Sequence, residues 1–207
     1  MLILFTGVMI SVCAHVSETM AVGIGLYATS GMGDGEYEFD SDTNPDIDLD
    51  TDIQRCGYGF MLDTAVANDR VFNYRLNIGI YNWSEEFEDD SEFDLSGFMI
   101  SHDFGFGVLR NKYVRLWLGP EVRFALGDGD EDDNDGFDVE IKSFGVGPVM
   151  GLNVHLGPVV SLGFKSGYLF EGIDGDADSL NESIDFSGDD TMYFFTLSLI
   201  FRINDEF

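Results

Sequence analysis

From Val114 to Leu126 every second residue is apolar: Val114, Leu116, Leu118, Pro120, Val122, Phe124 and Leu126 form one row. The alternate row is Arg115, Trp117, Gly119, Glu121, Arg123 and Ala125. A period of two predicts an extended strand, because a pleated backbone sends successive side chains to opposite faces. With Tyr113 to Leu126 counted, the alternation predicts eight strands. The other seven are Thr19–Thr29, Ile53–Asp63, Val71–Trp83, Phe93–Val108, Phe137–Val154, Val159–Phe170 and Thr191–Ile203. Long acidic stretches at about 32–52, 84–94, 127–140 and 171–190 follow the first, third, fifth and seventh strands, and short turns follow the others. An even number of antiparallel strands, with long connections gathered at one end, predicts an all-β, eight-stranded antiparallel up-and-down transmembrane β-barrel.

The composition of the two rows decides which faces lipid. One row is Phe, Leu, Ile and Val with Tyr near its ends; the other is Gly, Ser, Asn and Arg. A water-facing sheet would carry scattered Lys and Glu, whereas a narrow eight-stranded lumen needs small residues. The apolar row is therefore expected to face the bilayer. The thirteen residues from Val114 to Leu126 are enough to cross it, since roughly 9–11 suffice when tilted. Six of the ten basic residues, Arg55, Arg75, Arg115, Arg123, Lys165 and Arg202, fall on the polar parity. A single Arg or Lys facing mid-bilayer lipid costs about 2–4 kcal/mol, so this placement is selective. Asp63, Asp103 and Glu121 share that parity and complete an expected lumenal ion-pair network.

Net charge sharpens the picture. There are 39 acidic and 10 basic residues, for a net charge of −29, and 32 of the acids lie in the four long acidic stretches and their shoulders. Acidity on this scale disfavours nucleic acid as a partner. A hydrophobic content of 44% excludes a disordered chain. Residues 1–14, possibly extending to 21, have the apolar character of a signal peptide, leaving 15–207 as the barrel domain. Cys56 would then be the one remaining cysteine, and no intramolecular disulfide is expected.

These features resemble the small eight-stranded outer-membrane barrels of the OmpA-barrel, OmpX and opacity-protein type. The final Phe201-Arg202-Ile203-Asn204-Asp205-Glu206-Phe207 is similar to the C-terminal signal read by the barrel-insertion machinery, with Leu199, Phe201, Ile203 and Phe207 in register. Asp205 departs from that pattern, where an apolar residue is usual. No periplasmic domain is expected beyond it. The resemblance implies a bacterial outer-membrane location, lipid and lipopolysaccharide as surroundings, a monomer, and a structural or surface-interaction role. A narrow cation-attracting pore is the alternative, and a lipid-A-modifying enzyme is a third.

Candidate chemistry is sparse. Ser101-His102-Asp103 contains the residue types of a hydrolase, but neighbours on a strand point to opposite faces and Ser101 and His102 are not expected to share a proton. No catalytic residue is expected. Asp174, Asp176, Asp178, Glu182 and Asp185 have the spacing of a calcium loop, with Ser179 where that loop uses glycine and Asp185 where it uses a bidentate Glu. No cofactor is expected beyond Ca²⁺ or Mg²⁺ held weakly at the acidic loops.

Overall fold

A computed structural model describes residues 22–40, 47–66, 71–87, 92–130, 138–178 and 183–203. The signal-peptide segment, Glu182 and Phe207 lie outside these residues. Eight strands form: β1 (Val22–Asp40), β2 (Ile47–Asp63), β3 (Phe72–Phe87), β4 (Glu92–Arg110), β5 (Val114–Asp130), β6 (Asp138–His155), β7 (Val160–Asp178) and β8 (Ser183–Ile203). Each pairs antiparallel with its sequence neighbour, and β8 pairs back onto β1, closing the barrel. Closure satisfies the backbone of every strand inside a bilayer and leaves no open edge.

The registers set the strand tilt. Following partners around the wall from Ser30 passes Cys56, Asn82, Ser96, Asp128, Glu140, Asp176 and Asp185, and returns to β1 at Asp40. One circuit thus climbs ten residues, which for eight strands corresponds to a tilt of about 40°. At a rise of ~3.3 Å per residue, the row from Val114 to Leu126 then spans roughly 30 Å, the thickness of a bilayer's hydrocarbon core. Pro120 and Pro148, which carry no N–H, sit opposite each other on β5 and β6. The pairings Pro120 and Pro148 would make with β4 and β7 drop out of the ladder.

The parity expected for each strand agrees with the observed faces. Phe60 is 68% exposed and Phe195 57%, whereas Trp117 and Phe194 on the opposite parity are buried. Outward apolar side chains form a continuous belt, with aromatic residues at both rims, including Phe72, Tyr74 and Phe106 below and Tyr58, Phe144 and Tyr193 above.

The strands are longer than the hydrophobic pattern predicts. Most of 32–52, 84–94, 127–140 and 171–190, expected as loops, continues as strand beyond the belt. The reason is a reversal of solvent. Above the bilayer the outer wall meets water and the interior must supply apolar packing, so the polarity of the two parities exchanges. On β2, Asp50 and Asp52 face out while Leu49, Thr51 and Ile53 face in. On β6, Glu140 and Lys142 face out while Val139 and Ile141 are buried. Seven of the eight strands place an exposed carboxylate at or near the first outward position above the belt: Asp34, Asp52, Asp94, Asp128, Glu140, Asp174 and Asp189. The acids therefore form a collar around the outer wall.

Candidate functional site in the barrel lumen

The lumen is filled by three polar tiers and an apolar cap. In the lower tier Arg75 donates to Asp63 from Nε at 3.1 Å and from Nη2 at 2.7 Å. The same Nη2 donates to Asn153 Oδ1 at 2.9 Å. Trp117 fills the space beside them, with the Arg75 guanidinium 5.1 Å from its ring centre. The residues that follow β2, Thr64 to Val66, fold inward across this end. Val66 is buried, Asn153 donates to its carbonyl at 3.3 Å, and Arg115 donates to the Ala65 carbonyl. Ala65 and Val66 are small and apolar, so they fill this end of the lumen without burying a further charge.

The middle tier centres on Lys165. Its ammonium donates to both oxygens of Asp103, at 3.0 and 3.1 Å, and to Glu121 at 2.8 Å. Arg123 holds Glu121 from the other side through Nε and Nη2, at 3.0 and 2.9 Å. Asn77 donates to Ser101 and Asp103, and Arg123 donates to the Tyr81 hydroxyl. Strand geometry explains the cluster: Asp103, Glu121 and Lys165 are inward residues of β4, β5 and β7 that the tilt brings together. The niche between Asn77, Ser101, Arg123, Lys165 and Tyr27 has no room for a water molecule.

The upper tier centres on Arg55, which lies 3.7 Å from the Trp83 ring centre and pairs with Glu171 and Asp190, with Glu85 at 3.9 Å. Glu85 accepts from the Tyr37 hydroxyl at 2.6 Å and from Trp83 Nε1 at 2.5 Å. Above it, Ile53, Leu95, Val139, Ile141 and Ile173 form the apolar cap.

All nine residues expected in the lumenal network are buried and inward: Arg55, Asp63, Arg75, Asp103, Arg115, Glu121, Arg123, Lys165 and Arg202. Sequence reasoning misses Glu85, Glu171 and Asp190, because they fall within the acidic stretches expected as loops. Parity held the signal. Glu85 continues the inward row Arg75, Asn77, Gly79, Tyr81 and Trp83, and Glu171 continues Lys165, Gly167 and Leu169. With these three included, the buried lumenal charges among the described residues are six cations and six carboxylates. A buried charge without a partner is strongly unfavourable. The totals balance over the lumen as a whole: the middle tier holds two cations and two carboxylates, three carboxylates surround Arg55 above, and the surplus of cations lies below.

The other expected sites are dispersed. Ser101 is buried in the lumen, while His102 lies on the outer wall with its Nδ1 2.6 Å from the Tyr74 hydroxyl. Asp174, Asp176 and Asp178 do not wrap a loop; they continue β7, where Asp176 faces Asp185 across the β7–β8 ladder. A calcium loop needs a tight turn that gathers its ligands, and an extended strand spreads them along one wall. Among the described residues no group of three or more acids, His or Cys is placed to hold a metal. Leu199, Phe201 and Ile203 are exposed in the belt.

No known protein family and no curated protein matches this sequence. Solved structures do resemble the fold. The outer membrane protein OprG from Pseudomonas aeruginosa aligns with a TM-score of 0.67 at 9% identity, covering 90% of this chain and 98% of that one. AlkL, an outer membrane protein solved in lipid bilayers, aligns at 0.44 and 14% identity over 93% and 95% of the two chains. The outer membrane protease OmpT from Escherichia coli aligns at 0.42 and 12% identity over 90% and 97%. The chain has the fold of the small outer-membrane β-barrels, and the likeness is one of architecture.

Proposed function

We propose that this outer-membrane β-barrel is a lumen-plugged protein whose work is done at its outer surface, in a structural or surface-interaction role carried by its acidic collar and loops. The observation that supports this reading best is the balanced set of buried charges across three tiers. A conducting pore needs a hydrated path, and ion pairs packed against Trp83, Trp117 and Phe194 occupy the space such a path requires. The apolar cap at the mouth opposes cation entry as well. The exposed collar acids project from the outer wall, so they attract cations to the flank of the barrel instead of focusing them into its bore. Divalent ions enter this reading as counter-ions between collar carboxylates and neighbouring lipopolysaccharide phosphates.

Single-channel recording of the full chain reconstituted in planar bilayers tests the proposal. Silence across the physiological voltage range is expected. Stable, cation-selective openings would replace the plug with the pore.

A further inference from the structure

Most of the outer wall above the belt is uniformly acidic, but one sector breaks the pattern. Lys142 on β6 is the one lysine or arginine turned outward at the extracellular end of the described strands. Its register partner on β7 is Asp174, yet it forms no ion pair among the described residues. Beside it opens a recess of about 310 Å³, lined by Lys142, Asp174, Asp176, Asp185 and Ser187 with Phe186 at its back. That volume lies at the small end of the range for ligand sites.

Lipid-facing surface lies next below the recess on the same strands. Gly172, the next outward residue below Asp174 on β7, faces Phe144 on β6 and Asp189 on β8. A Cβ added there would meet only an Asp189 carboxylate oxygen at 3.8 Å, so this position is a notch where other strands carry a side chain. Directly beneath lie the exposed rings of Phe144 and Phe170. A molecule seated in the recess can therefore extend an apolar chain through this notch, past the Asp189 carboxylate on one side and over Phe144 and Phe170 on the other.

We infer that this recess is a binding site for the head group of an outer-leaflet lipid carrying phosphoethanolamine, with Lys142 engaging the phosphate and Asp174, Asp176 and Asp185 engaging the primary amine. The charge pattern selects that chemistry. A phosphate alone would meet one cation against three carboxylates, and an amine alone would leave Lys142 unused. A zwitterion with phosphate and ammonium a few bonds apart answers both, and a primary ammonium supplies donors for charge-assisted hydrogen bonds to the carboxylates. A quaternary ammonium lacks those donors. Ser187 offers the phosphate or amine one neutral partner.

The site deepens the surface role proposed above and rests on the same outward-facing wall, but its test is separate. The full barrel is refolded in maltoside micelles and titrated with dihexanoyl phosphatidylethanolamine while backbone amide shifts are followed by NMR. Dihexanoyl phosphatidylglycerol and phosphatidylcholine serve as comparators. Saturable shifts centred on Asp174, Asp176, Asp185 and Ser187 are expected with the ethanolamine lipid, and at least five-fold weaker binding with the other two. Lys142→Gln and Asp174→Asn, both at exposed positions that leave the lumen intact, should each weaken binding three-fold or more. Equal binding of phosphatidylglycerol or phosphatidylcholine overturns the inference, as do shifts that neither variant changes or a titration that moves no amide in the recess. A flat titration on an electrically silent barrel would remove this site alone; openings in the bilayer would remove the plug and leave the titration to be read on its own terms.

Discussion

Replacing Lys165 with Met tests whether the middle tier is a true buried network. Methionine is close in length to lysine and retains the packing over Phe194, whose ring centre lies 5.4 Å from the ammonium. What the substitution removes is the one cation shared by Asp103 and Glu121. Glu121 keeps Arg123, but Asp103 keeps only the amide of Asn77 at 3.3 Å. Asp103 and Glu121 are both fully buried, so no water can take the place of the ammonium. Removing one partner of a buried pair typically costs about 3–5 kcal/mol, against roughly 0–1 kcal/mol for an exposed pair. Urea unfolding in phospholipid vesicles, followed by tryptophan fluorescence, measures the difference. Both tryptophans, Trp83 and Trp117, are buried in the lumen and report on its loss. The midpoint should fall while the slope of free energy against urea stays constant, because the surface exposed on unfolding hardly changes. The triple variant Lys165→Met, Asp103→Asn, Glu121→Gln should recover most of the loss, since neutral amides do not need a counter-charge. A loss under about 1 kcal/mol for the single variant would mean that the carboxylates are hydrated, and the plug would fail with it.

Three further outcomes follow from the same structure. Phe60→Arg on the lipid-facing wall should destabilise the barrel by up to about 2–4 kcal/mol, whereas Asp52→Arg on the same face of β2 should cost nothing comparable, and equal effects in vesicle unfolding would misplace the bilayer boundary. A bimane label on Cys56, exposed at the upper edge of the belt beside Asn82, should be quenched by lipids brominated near the head group more strongly than by lipids brominated near the chain end; the opposite order would put the belt at the wrong height. Gly147→Ala would set a methyl group against the Tyr168 carbonyl where the backbones of β6 and β7 approach, and a cost of about 1–3 kcal/mol in urea unfolding is expected, with an unchanged midpoint speaking against so close an approach.

How much of this was legible beforehand differs from feature to feature. Every parity assignment could be read locally, because one solvent faces each wall for the length of the belt. Arg75, Arg115 and Arg123 were placed inside by that rule alone. The acid partners of Arg55 lie on the same inward parity, but past the end of the belt, where the apolar residues no longer mark which wall faces out. Glu85, Glu171 and Asp190 lie where the apolar parity has already changed sides, and there a hydrophobic pattern read with one rule registers only acidity. The run Ile47-Asp48-Leu49-Asp50-Thr51-Asp52-Ile53 still alternates perfectly, with its apolar residues now on the inward parity.

The sequence by itself determined that eight strands form, which face of each meets lipid, and that the lumen holds the arginines. It did so because the period of two is a property of a single strand and needs no partner. The tertiary structure decided the rest: a climb of ten residues per circuit, the meeting of Asp103 and Glu121 on Lys165, and the recess beside Lys142. Those depend on the register between strands: neighbouring ones for the recess, the closing β8–β1 pair for the climb, and strands far apart in sequence for Lys165 reaching Asp103. Register in turn depends on closing the barrel so that lumenal charges balance and every backbone donor finds an acceptor within the bilayer.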